Sequence, residues 1–122
     1  MVGGRFSLLG IDLVEIKKAR VFYRNHKKRL RSFFSPEEAE YIRRGEDPPV
    51  NLARVLAAKE AVFKAVRRPA MGPALFDRIR VVPQRRGIFG CRVREGRSRP
   101  KTLEISFVRG ERYVVARCVG IS

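Results

Sequence analysis

At 122 residues, of which 44% are hydrophobic, the chain has room for one domain (residues 1–122) with its own core and is too short for two ordinary ones. Lys and Arg total 28 against 12 acidic residues, a formal net charge of +16, so the expected partner is polyanionic: nucleic acid, a phosphorylated ligand, an acidic protein or an anionic membrane surface. The apolar run Leu8–Val14 is broken by Gly10 and Asp12 and is too short to span a bilayer or to read as an export signal. Cys91 and Cys118 lack zinc-site or disulfide-framework spacing, which fits a reducing cytoplasm.

In chain order, Arg5–Asp12 predicts a first strand with apolar bulk at Phe6, Leu8, Leu9 and Ile11, and Gly10 permits a close backbone approach. From Leu13 the period changes to 3.6, with Ile16, Ala19, Tyr23, His26 and Leu30 on one side of a predicted helix. Asp12 would then cap a helix start, unless it serves a site. The other side of that helix carries Lys17, Arg20, Arg24, Lys28 and Arg31, a basic stripe that weakens the helix unless an acidic partner neutralises it. The single histidine, His26, falls at the edge of the apolar side and reads as a packed residue.

Ser35-Pro36-Glu37-Glu38 is a helix start with the spacing of a capping box, and that helix should run to about Arg44, stop at Gly45 and pass through an extended Asp47-Pro48-Pro49 linker. A third helix follows over Asn51–Arg67, with Leu52, Val55, Leu56, Phe63 and Val66 on its apolar side. Lys59 lies in the middle of that side and is expected to lay its stem there and carry its ammonium into water. A second stripe holds Ala53, Ala57, Glu60 and Lys64, leaving room for something to approach; Glu60 and Lys64 are spaced for a surface ion pair. After loop signals at Pro69, Gly72 and Pro73, strands are predicted at Arg78–Val82, Ile88–Arg94, Leu103–Phe107 and Tyr113–Val119, with turns at 84–87 and 109–112. The order βαααββββ implies an α+β fold, three helices against a mainly antiparallel sheet.

Four segments, LLGIDLVEI, FFSPEEAEYI, LAAKEAVFKAV and ERYVVA, resemble in order and spacing the successive motifs of the holo-acyl-carrier-protein synthases, the small 4′-phosphopantetheinyl transferases. The resemblance covers nearly the whole chain. It implies transfer of 4′-phosphopantetheine from coenzyme A to a serine of an acidic acyl carrier protein, with release of adenosine 3′,5′-bisphosphate. It also implies that Asp12 and Glu60 bind Mg²⁺, that Lys64 and Lys59 stand near the coenzyme A phosphates, and that the chains form a homotrimer. Lys17, Arg20, Arg24, Lys28 and Arg31 would form the carrier-docking surface. The family's usual arginine five residues before the metal-binding glutamate is Val55 here, beside Arg54. Its usual Ser-His after the fourth strand falls on Val108-Arg109, where Arg109 can contact phosphate but cannot act as a general base. The competing expectations are a family member that binds carrier protein or nucleotide without turnover, and a basic nucleic-acid-binding module, for which no base-reading motif is visible.

Overall fold

The structure is a computed structural model and describes residues 6–66, 79–83, 89–93 and 102–121. The elements run β1 (Phe6–Glu15), α1 (Ile16–His26), a 3₁₀ segment (Lys27–Ser32), α2 (Pro36–Arg43), α3 (Pro48–Val66), β2 (Ile79–Pro83), β3 (Phe89–Val93), β4 (Thr102–Arg109) and β5 (Tyr113–Ile121). The strands form one antiparallel sheet in the order β1-β5-β4-β3-β2. This is the predicted α+β architecture. The predicted turn at 84–87, the loop around 69–73 and Arg67 lie outside the described residues.

The first strand is longer than predicted. Leu13 and Val14 continue the ladder opposite Val115 and Val114, so Asp12 sits inside β1, opposite Ala116, and caps no helix. The alternation accounts for this: Leu9, Ile11 and Leu13 lie on the open face of the sheet, while Gly10, Asp12 and Val14 are buried or half-buried on the other. A Cβ on Gly10 would stand 1.9 Å from the Ala61 carbonyl oxygen, so strand and helix meet backbone to backbone there.

The predicted first helix is interrupted. α1 ends at His26, and Arg29 leaves helical geometry at φ −132° and ψ 34°, which removes Lys28 and Arg31 from the stripe of Lys17, Arg20 and Arg24. The bend delivers Leu30 and Phe34 to the core, 0% and 6% exposed, and ends an α-helix whose like charges repel one another. His26 packs against Phe22 and Phe33, with ring centroids 4.5 and 4.9 Å away, as a packed residue should.

Ser35 and Glu38 close the predicted capping box: the Ser35 hydroxyl accepts the Glu38 N–H, and the Glu38 carboxylate accepts the Ser35 N–H. Gly45 takes the left-handed stop at φ +91°. The expected extended linker is absent, because Pro48 and Pro49 open α3 itself, where proline's missing N–H costs nothing. The Asp47 carbonyl accepts the Val50 and Asn51 N–H groups. Asn51 then ties the α2–α3 corner, donating to the carbonyls of Tyr41 and Arg44 and accepting from Arg54.

α3 is enclosed on nearly all sides by β1, β5, β2, α1 and α2. Ala53, Ala57, Ala58 and Ala61 are fully buried, and at Ala61 it is the backbone of β1 at Gly10 that comes close. Along residues 51–66 Lys64 alone is exposed. At the far end, the Arg112 carbonyl accepts the Ile16 N–H at 2.8 Å and fastens the β4–β5 turn to the start of α1. No helix among the described residues is long and apolar enough to cross a membrane.

Candidate active site

The contact between Gly10 and Ala61 sets the site. Asp12, two residues along β1 on the same face, is brought over the turn of α3 that carries Glu60 and Lys64. The Lys64 ammonium donates to Asp12 Oδ1 at 2.5 Å; the two side chains are 44% and 19% exposed. Lys64 therefore pairs across elements with Asp12, where the helical spacing had suggested Glu60. Burial pushes the Glu60 carboxyl above its ordinary pKa and the negative Asp12 pushes it further up, while Lys64 pulls it back. Two carboxylates close enough to feel each other, offset by one ammonium, make a half-open site of hard oxygen donors.

That donor set suits Mg²⁺, which commonly takes one or two carboxylates and completes its shell with substrate phosphates and water. No cluster of three or more His, Cys, Asp or Glu side chains able to hold a metal occurs among the described residues. Thiol chemistry is disfavoured: burial pushes Cys91 up to about 12 and Cys118 up to about 11, so both stay protonated near neutral pH.

Lys59 corrects the sequence expectation. Its ammonium is not carried into water; it is 4% exposed and ion-paired with the fully buried Glu38 at 3.3 Å, and it lies 5.8 Å from the centre of the Phe34 ring. A lysine on the core side of a helix wrapped this completely has no path to water, and a buried carboxylate compensates it. Its ammonium is thus engaged in the core, where the resemblance had implied a place near the phosphates. Glu38 was missed because its capping role accounts for only one of its oxygens.

Arg109 stands apart from the carboxylates. It lines a cleft of about 550 Å³ with Lys17, Arg20 and Arg112, beside the start of α1. Arg20 is partly committed: its guanidinium donates to both carboxylate oxygens of Asp47, at 2.9 and 3.1 Å, and holds the Asp47 carboxyl below the ordinary aspartate range. Lys17 and Arg24 are exposed on α1, and Lys28 and Arg31 are exposed beyond the bend. Val55 is fully buried, and Arg54 is held by Asn51 Oδ1 at 3.0 Å, so Arg54 does not take the direction of Val55.

Known proteins resemble the chain in sequence and in fold. A holo-[acyl-carrier-protein] synthase of Deinococcus deserti is 41% identical over 61 residues, covering 50% of this chain and 48% of that protein. One of Treponema denticola is 43% identical over 72 residues, covering 57% and 56%. The matched stretches thus span about half the length of these curated relatives. Among solved structures, an ACPS–coenzyme A complex from Chronobacterium ammoniagenes has a TM-score of 0.72 at 25% identity, covering 93% of this chain and 96% of that one. The holo-[acyl-carrier-protein] synthase of Helicobacter pylori in complex with coenzyme A gives 0.71 at 21% identity, covering 92% and 98%, a likeness of fold. Residues 8–118 match the profile of the 4′-phosphopantetheinyl transferase superfamily, and with strand, helices and sheet in the expected order around Asp12 and Glu60, the chain belongs to that superfamily.

Proposed function

We propose that this chain transfers 4′-phosphopantetheine from coenzyme A to a serine hydroxyl of an acidic acyl carrier protein, with Mg²⁺ held by Asp12 and Glu60 and adenosine 3′,5′-bisphosphate leaving. The observation that carries the reading is the convergence of Asp12, Glu60 and Lys64 from two elements, in a chain of this superfamily. Core packing does not require that convergence. When bound, the metal would act as a Lewis acid on the diphosphate. Lys64, being exposed, could exchange Asp12 for a phosphate oxygen and would then neutralise charge gathering on the leaving group. Arg109, Arg112 and Lys17, with Glu15 and Glu111 among them, line a cleft whose cations could meet phosphate, and the exposed cations of α1 suit an acidic carrier.

A homotrimer with the sheet near its centre is part of the same proposal. Leu9, Ile11 and Leu13 on β1 and Val108 on β4 are 52–70% exposed on the open sheet face, an apolar patch that association would cover. The free Cys91 and Cys118 support a reducing, cytoplasmic setting. The non-catalytic alternative is favoured by Val55 and Arg109 at positions where the family carries other residues.

The test is incubation with coenzyme A, Mg²⁺ and a panel of apo carrier proteins, read by intact mass. Transfer adds one phosphopantetheine to the carrier. No addition to any carrier, together with retained coenzyme A binding, would favour the non-catalytic reading.

A further inference from the structure

Glu38 has no exposed surface, and both of its oxygens are engaged. Oε1 accepts the Ser35 N–H at 2.9 Å and the Lys59 ammonium at 3.3 Å, and Oε2 accepts the Val81 N–H at 2.9 Å. One carboxylate therefore joins the entrance of α2, the inner side of α3 and the edge strand β2. Lys59 directly precedes Glu60, and consecutive helical residues are separated by about 100° about the axis, so where Lys59 points determines where Glu60 points.

The buried Leu52, Val55 and Val62 and the Gly10–Ala61 contact also constrain the rotation of α3, but they leave much of its inner surface to small side chains. Its enclosed surface is rich in alanine, at residues 53, 57, 58, 61 and 65, and short side chains interlock weakly. Stability is a poor account of the pair, since well-packed apolar residues often match or better a buried ion pair, whereas a single buried polar contact is well suited to fixing register. We propose that the Glu38–Lys59 pair is a positioning device that sets the rotation of α3 and so holds Glu60 beside Asp12. The inference rests on the metal-site reading above.

The experiment is Mn²⁺ binding by calorimetry on the whole chain, with urea unfolding run alongside. Lys59→Met alone would strand the Glu38 carboxylate in the core, so the principal variant is Glu38→Gln with Lys59→Met, which removes both charges and keeps the volumes. A second variant, Glu38→Asp, keeps the charge and shortens its reach by one methylene. Both are expected to weaken Mn²⁺ binding about 10- to 100-fold, the usual effect of disturbing a group that orients a metal ligand. Ile105→Val, a core change on β4 that removes no charge and no hydrogen bond, should leave it within about twofold. Unchanged Mn²⁺ affinity in either folded Glu38 variant overturns the inference alone. Failure of the unsubstituted chain to bind Mn²⁺, or equal binding by Glu60→Gln, overturns the metal-site reading and this inference with it.

Discussion

Replacing Gly10 with alanine places the new methyl 1.9 Å from the Ala61 carbonyl oxygen and 2.9 Å from both the Ala61 carbonyl carbon and the Ala65 nitrogen. Ordinary contact begins near 3.4 Å, so β1 and α3 would have to part by about 1.5 Å, because the new methyl has no rotamer and the atoms it meets are backbone. Overpacking typically costs about 1–3 kcal/mol, and the upper end applies here because the strain falls along a whole strand–helix contact. With a urea m-value of about 1.5 kcal/mol/M, a loss of about 3 kcal/mol lowers the unfolding midpoint by about 2 M. Activity should fall further than stability, because a displacement of about 1 Å in positioned groups can cost about 100-fold in rate. The control is Gly110→Ala, whose methyl meets nothing closer than 3.6 Å; it should be neutral or stabilising by up to about 1 kcal/mol. A Gly10→Ala chain with unchanged midpoint and unchanged turnover would refute the idea that this contact aligns the site.

Glu60→Gln should abolish transfer while leaving the chain as stable or slightly more so at neutral pH, because the burial and the Asp12 charge that raise its pKa both oppose the carboxylate; unfolding of the variant would mark Glu60 as structural. Arg24→Glu should raise KM for the carrier at low salt, less so at moderate salt, and leave KM for coenzyme A unchanged, whereas Arg20→Glu should also strain the α1–α3 corner by facing Asp47. The Asp47 carboxyl is depressed below 3.8 by Arg20, so its contribution is present above that value and lost as pH falls through the lower folded pKa. In acid titrations followed by circular dichroism, Asp47→Asn should flatten this part of the unfolding limb, and an unaltered limb would show the pair to be inert.

The fold was legible where one chemistry dominated a segment. The Ser35–Glu38 spacing, the Gly45 stop and the alternation of Leu103, Ile105 and Phe107 each have a local cause, and each appears in the structure. The ends of β1 and α1 were not legible, because Leu13 and Val14 suit a helix as well as a strand until Val115 and Val114 pair with them, and because Leu30 has a place in the core only if the helix bends before it. At the site, Asp12, Glu60 and Lys64 could be named from sequence, yet their meeting depends on Gly10 lying against Ala61. Lys59 was placed wrongly for a similar reason: its partner Glu38 is 21 residues away on another helix.

The sheet order has a consequence for how the chain assembles. Among the described residues β1 finds its only sheet neighbour in β5, about 100 residues further along, so the whole intervening stretch must be synthesised before Asp12 is held by its ladder. Closing so long a loop is entropically costly, and contacts of this separation form late. Until then Leu9, Ile11 and Leu13 and an unpaired strand edge are available to wrong partners, which makes β1 the segment on which a chaperone would act. Pulse-labelled hydrogen exchange during refolding should find the β1 amides protected after those of the β2–β3 pair; simultaneous protection would show that the two ends of the chain meet early.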